Sequence, residues 1–315
     1  MSQHIRIKKG LNIPIAGEAA KEVTKTVLPD VVFIKPTDFR GLVPKLVVKE
    51  GDRVLAGQPL FVDKARQQIS FCSPCSGTVE AVVRGDKRKL LGVRVKADAK
   101  CEYAQHQPLK VESADAATIK QALIERGLWP MIQQRPYGIV ANPEAAPKSI
   151  FISAMATAPL AADLDFVLGN QVGYIQVAIN ALAKLTNGGV HLSLNAETFL
   201  GSDFHKLTNV IQHTFCGPHP AGNVGVQINH ISPINKGEVV WTVDLLSLAT
   251  IGKCLKEGVY DVTRLVAVTG PAAVNPSYVK GIQGMPMSAF AEYVGEKINE
   301  DASGVRIISG NPLTG

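Results

Sequence analysis

Nowhere do the 315 residues sustain the roughly 20 consecutive apolar positions that a membrane-spanning helix needs. Nor is there a secretory signal pattern, so the expectation is a chain that works without crossing a bilayer. Cysteine is scarce and odd in number: five residues, at 72, 75, 101, 216 and 254. That excludes a disulfide framework and fits a reducing compartment. The pair Cys72-Ser-Pro-Cys75 has no second CxxC and no histidine pair at zinc-finger spacing, and no cysteine set suits an iron–sulfur cluster. No GxGxxG follows the strand pattern at 149–154, which removes the usual dinucleotide fingerprint. Aromatic residues make up only 6% of the chain. The basic residues lack interleaved aromatics for base stacking, so nucleic acid is not an expected partner.

The length allows two or three domains, and 46% apolar with 19% charged residues is a globular composition. Charge is unevenly placed. Residues 1–100 hold 19 Lys/Arg against 10 Asp/Glu, whereas 101–315 hold 14 against 17. A basic first third suits an acidic partner or an anionic surface, with a merely solvated face as the plain alternative.

Residues 1–100 read as β. His4–Gly10 alternates, and Leu11–Ile15 follows as a second short strand. Val43–Val62 then runs strand, Gly51-Asp52 turn, strand, Gly57 turn, strand, and Ile69–Val83 repeats the pattern more briefly. Together these resemble the biotinyl/lipoyl hammerhead, a barrel-sandwich hybrid. Lipoyl domains carry their lysine in an Asp-Lys-Ala turn, and Asp63-Lys64-Ala65 stands at the matching place. A carrier modified at Lys64 is therefore an alternative, against which stands the continuation Arg66-Gln67-Gln68. Cys72 and Cys75 fall in a strand pattern, where two small buried residues are the default and a redox or metal role the alternative. Arg84, Lys87, Arg88 and Lys89 form a basic hairpin tip, a candidate docking surface.

Residues 101–260 alternate helix and strand, the mark of a doubly wound, Rossmann-like domain. Ser113 or Asp115 can cap a helix to about Arg126, with Gly127 ending it. The stretch 127–138 reads as a break with an exposed Trp129. Strands are expected at 149–154, 190–194, 209–215 and 238–243, and helices over 171–185 and from an Asp244 cap to about Glu257. Between the last two strands lies Cys216–Pro233, rich in glycine, proline, histidine and asparagine, whose second half, 224–231, alternates like a strand. It is the candidate binding loop. His213 just before it, with Cys216 and His219 on it, has the spacing HxxCxxH, which admits zinc; Pro218 and Pro220 constrain the backbone against it, and no metal is assigned. Residues 261–315 read as a small α+β unit with a strand at 264–269, a helix from Ser288 to about Ile298, and a strand at 304–310.

Six ordered segments, 7–17, 61–68, 84–95, 127–138, 217–233 and 265–276, resemble the A-subunit family of Na⁺-translocating NADH:quinone oxidoreductases. The likeness spans the chain and resembles a form lacking a further C-terminal region. It implies a barrel-sandwich domain over 1–100, a Rossmann-like domain over 101–260 and a β-grasp, soluble-ligand-binding-like domain over 261–315. It further implies a peripheral protein on the cytoplasmic face of a bacterial inner membrane. That protein works in a complex passing electrons from NADH to ubiquinone with Na⁺ export, and the membrane-bound B subunit is its main partner. The family is distantly similar to the flavoprotein component of respiratory complex I, whose glycine-rich flavin loop is replaced here by Leu128–Pro136. Bulky residues there keep backbone N–H groups from a phosphate. The expectation is thus no FMN, FAD or iron–sulfur centre in this chain, those belonging to partner subunits, and no catalysis by the chain alone. Ubiquinone is an expected ligand, with His219, Asn223, Asn229 and His230 as candidate donors to its carbonyls. An independent nicotinamide or flavin oxidoreductase is the other alternative.

Overall fold

Three β-rich units share the 315 residues in the computed structural model, which describes residues 2–293 and 306–314. The chain opens with β1 (His4–Arg6) and, after an extended segment, β2 (Val23–Thr26). Next come β3 (Val31–Ile34), β4 (Pro44–Leu46), β5 (Arg53–Val54), β6 (Pro59–Asp63), β7 (Ser70–Cys72), β8 (Gly77–Arg84) and β9 (Leu90–Ala97). These seven form two facing sheets, ordered β3-β9-β8-β5 and β4-β6-β7. Val32, Leu60, Phe61, Ile69, Val93 and Val95 are all buried; burial alternates along β3, whereas β6 is buried on both faces. The turns at Gly51 and Gly57 fall where the sequence places them.

The second unit follows. Its elements are α1 (Ala116–Glu125), β10 (Gln133–Arg135), β11 (Ile139–Val140), β12 (Ile150–Ala154), α2 (Leu164–Leu168), α3 (Val172–Ala183) and β13 (Val190–Asn195). Then come β14 (Ile211–Cys216), α4 (Val224–Ile231), β15 (Val240–Thr242) and α5 (Leu245–Glu257). The seven-stranded sheet runs β1-β14-β13-β12-β15-β10-β11. Strands β1, β14, β13, β12 and β15 are mutually parallel, while β10 and β11 add antiparallel at one edge. Asp115, rather than Ser113, caps α1 by accepting from Thr118 N at 2.8 Å, and Asp244 caps α5 through Ser247 N at 2.8 Å.

The third unit pairs β16 (Thr263–Val268) antiparallel with β17 (Ser277–Ile282), and β17 in turn pairs parallel with β2. Strand pairing therefore carries the first 26 residues out of the barrel-sandwich sheets. Strand β1 extends the large sheet, and β2 completes the small one.

Several sequence expectations are corrected. Residues 224–231 are helical. The run carries apolar residues at 224, 228 and 231 as well as at alternate positions, so both periods fit. The tie is broken by topology: β14 and β15 lie parallel in one sheet and need a crossover between them. Val224, Ile228 and Ile231 pack on Phe151 and Val240. Leu11–Ile15 is extended without a ladder, held by Leu11 N donating to His219 O at 3.0 Å. Trp129 is fully buried rather than exposed: its indole N–H donates to Ala141 O at 2.8 Å, and its ring meets Trp241 edge-on at 5.4 Å. In place of the start of the helix expected from Ser288 lies a 3₁₀ segment, Met287–Tyr293, and 294–298 lie outside the described residues. Of the strand expected at 304–310, the described part, 306–310, is not in a sheet.

Candidate functional site

The binding loop leaves β14 at Cys216. Gly217 adopts φ +111°, and a Cβ there would stand 2.2 Å from Ile7 O, so the loop closes onto the segment after β1 only with glycine. His219 N then donates to Asn12 Oδ1 at 2.9 Å, and His219 Nδ1 lies 3.1 Å from Thr157 Oγ1. Asn223 sits at the N-cap of α4 without a side-chain cap bond and borders a cleft of about 610 Å³. Thr242, Val243 and Asp244 line the other side of this cleft, between the carboxyl ends of β12 and β15. Here the strand order reverses, the usual crevice of an open α/β sheet. Asn229 and His230 lie on the exposed face of α4, where His230 Nδ1 donates to Val226 O at 2.9 Å. The four candidate donors are therefore dispersed, with Asn223 bordering the cleft and Asn229 and His230 on the exposed helix face.

The HxxCxxH spacing dissolves in the same way. His213 is buried and its Nε2 lies 2.9 Å from His191 Nδ1, while Cys216 faces His4 at 4.0 Å and His219 faces Thr157. Burial first, then the neighbouring His213, pushes the His191 pKa down to about 4, which leaves a neutral pair. Among the described residues no three His, Cys, Asp or Glu side chains are placed to hold a metal ion. Cys72 and Cys75 are both buried free thiols, and burial pushes each up to about 12, far from a reactive thiolate.

Lys64 is exposed beyond β6, in a turn pinned by buried Asp63, which accepts from Ala65 N at 3.0 Å and pairs with Arg66 at 2.8 Å. Arg84, Lys87, Arg88 and Lys89 occupy the β8–β9 turn, all exposed, and none has a carboxylate within 4.0 Å among the described residues. Arg84 Nη1 donates instead to Arg88 O at 3.1 Å.

A second cavity lies elsewhere, where the three units meet. It holds about 370 Å³. Phe39 and Phe71, 4.4 Å apart and edge-to-face, form one wall with Ile34 from the barrel-sandwich unit. Pro130, Met131 and Leu246 from the α/β unit form another. Tyr260 and Arg264 supply polar groups from the chain entering the third unit. Tyr260 is only 6% exposed, and burial holds its phenol well above the usual range, so it is a neutral donor. An aromatic slot with a few convergent donors at a domain junction suits a planar ring bearing carbonyl oxygens. No local pattern marks these residues in the sequence: they come from 34–71, 130–131 and 246–264, and only tertiary packing joins them.

The architecture defines a class, a barrel-sandwich unit joined to a Rossmann-like α/β unit and a small β-grasp-type sheet. Matching family models cover nearly all of it: the NqrA N-terminal barrel-sandwich hybrid domain over 5–98, the NqrA second alpha/beta domain over 114–260 and the NQRA C-terminal domain over 265–315. The chain is 33% identical over 313 residues to the A subunit of the Na⁺-translocating NADH-quinone reductase of Hahella chejuensis. It is 34% identical to that of Alcanivorax borkumensis over 314 residues, and 32% identical to that of Neisseria meningitidis serogroup B over 313. Each alignment takes in 99% of this chain and 68% of the relative. The chain belongs to the NqrA family, the A subunits of the Na⁺-translocating NADH-quinone reductase, and is thus a component of a respiratory oxidoreductase complex. A chain of a NAD⁺-reducing [NiFe]-hydrogenase aligns far more loosely, with a TM-score of 0.36 and 13% identity over 57% of this chain and 42% of that one. No helix among the described residues is long and apolar enough to cross a membrane.

Proposed function

We propose that this chain serves electron transfer from NADH to ubiquinone, coupled to Na⁺ export, as a peripheral component that binds the quinone ring and holds no redox centre of its own. The observation that carries the reading is the junction cavity. Its aromatic wall, Phe39 and Phe71, can stack on a quinoid ring, while Tyr260 and Arg264 can donate to ring carbonyls. The absence of a flavin is supported by Leu128, Trp129 and Ile132. These bulky side chains are fully buried, and they occupy the space through which a flavin phosphate would have to reach this backbone. FMN, FAD and iron–sulfur chemistry then reside in partner subunits.

Titrating the purified chain with a short-chain ubiquinone analogue is expected to give saturable binding with one site per chain, read by calorimetry. Tyr260→Phe is expected to weaken it about tenfold, the loss of one buried hydrogen bond. Binding unchanged by Tyr260→Phe and by Phe71→Ala would move the site away from the junction.

Docking on the membrane-bound B subunit, at the cytoplasmic face, is assigned to the β8–β9 turn. Four exposed cations without carboxylate partners among the described residues leave their field free for an acidic surface. Reversing Arg84, Lys87, Arg88 and Lys89 to glutamate is expected to reduce co-purification with the membrane subunits at least tenfold, most strongly at low salt, with the fold unchanged. Undiminished assembly would take this turn out of the interface.

A further inference from the structure

Among the described residues Arg264 makes no close ion pair, although Asp244 and Asp261 lie in its field and favour its charge. Its Nη1 donates to Leu246 O and to Thr250 Oγ1, each at 3.1 Å, and both acceptors are neutral. The two carboxylates nearest in its field are already engaged. Asp244 accepts from Ser247 N at 2.8 Å and Ser247 Oγ at 2.7 Å. Asp261 pairs with Lys253 at 2.7 Å and accepts from Thr263 N at 2.9 Å and Thr263 Oγ1 at 2.6 Å. No carboxylate among the described residues lies within 4.0 Å of the guanidinium. Its Nε–H and both Nη2–H groups therefore have no protein acceptor among the described residues, and Arg264 lines the junction cavity. Burial works against its charge and lowers its pKa, yet arginine stays protonated in proteins.

A half-buried guanidinium whose hydrogen-bond partners are neutral is partly desolvated, and that cost is incurred when the chain folds. A ligand anion entering the cavity recovers part of it, against its own desolvation and the repulsion of Asp244, which also lines the cavity. Charge-assisted hydrogen bonds are about twice as strong as neutral ones, and the apolar part of the lining, Phe39, Phe71 and Leu246, lowers the local dielectric. We propose that Arg264 makes the junction cavity selective for ring ligands bearing a negatively charged oxygen, such as hydroxyquinone enolates, over neutral quinones of the same shape. The inference rests on the quinone reading of this cavity and adds to it a specificity-determining residue and a ligand charge.

The test compares three probes by calorimetry at pH 7 on the full chain. They are 1,4-naphthoquinone, its 2-hydroxy derivative, whose acidic enol is ionised, and its 2-methoxy derivative, which resembles the second in size but carries no charge. The 2-hydroxy compound is expected to bind about tenfold more tightly than either neutral ring. Arg264→Gln is expected to bind all three within about twofold of one another, and Arg264→Lys to keep part of the preference, with near-ultraviolet circular dichroism confirming the fold. A preference retained in Arg264→Gln would overturn the inference. So would a 2-methoxy compound that matches the 2-hydroxy one, a result obtainable on the unaltered chain alone. Binding of the neutral rings without any charge preference removes the inference and leaves the quinone reading standing. If no probe binds, both fall together.

Discussion

Replacing Trp129 by alanine is expected to destabilise the chain by about 3–5 kcal/mol, the usual cost of emptying a buried large aromatic site. The indole is fully buried, meets Trp241 edge-on at 5.4 Å, and donates to Ala141 O at 2.8 Å. Alanine leaves a cavity, breaks the aromatic pair and strips a buried carbonyl of its donor, and all three effects have the same sign. Trp129→Phe keeps most of the volume and is expected to cost less than half as much. Urea unfolding followed by the remaining Trp241 measures the difference. A loss below about 1 kcal/mol would mean that the pair is not part of the core, against the usual range for such substitutions. The consequence reaches the site, because Pro130 and Met131 next to Trp129 form a wall of the junction cavity. Slackened there, the wall should also weaken the proposed quinone binding, a functional loss from a residue that does not line the cavity.

The second large effect is expected at Gly252, in the middle of α5. A Cβ at this position would stand 1.8 Å from Tyr174 O and 2.5 Å from the Tyr174 carbonyl carbon, both backbone atoms of α3. Rotating a side chain cannot relieve that clash; the two helices must part. Gly252→Ala is expected to cost about 1–3 kcal/mol or more through overpacking, although alanine is the better helix former. Gly173 in α3 supplies the control, since a Cβ there meets nothing within 4 Å. Gly173→Ala is expected to stabilise by about 0.5–1 kcal/mol from helix propensity alone. Thermal unfolding of the two variants should therefore shift in opposite directions. Shifts of the same sign would mean that α3 and α5 do not pack backbone to backbone at this crossing.

Much of the architecture was legible in the residues. The Gly51-Asp52 and Gly57 turns placed the short strands of the barrel-sandwich unit, because two-residue periodicity bounded by turn residues has few other readings. Asp244 marked the start of α5, and the pair Ser113 or Asp115 the start of α1, through cap chemistry, which is local. Residues 224–231 were not legible. Eight residues are too few to separate a period of 2 from one of 3.6, and only the parallel pairing around them selects a helix. With that helix the candidate quinone donors Asn229 and His230 turn to solvent, so one misread period displaced half of the expected site.

Family and domain types were thus determined by the sequence itself, since ordered motifs along the chain are local properties that any comparison can read. The cavity was decided by tertiary structure alone. Its wall comes from Phe39 and Phe71, its floor from Pro130 and Met131, and its donors from Tyr260 and Arg264. These segments are remote in sequence, and no periodicity or spacing joins them. Whether Arg264 has a counter-ion is likewise settled by where Asp244 and Asp261 spend their hydrogen bonds. That is a matter of packing in three dimensions, which a linear pattern does not encode.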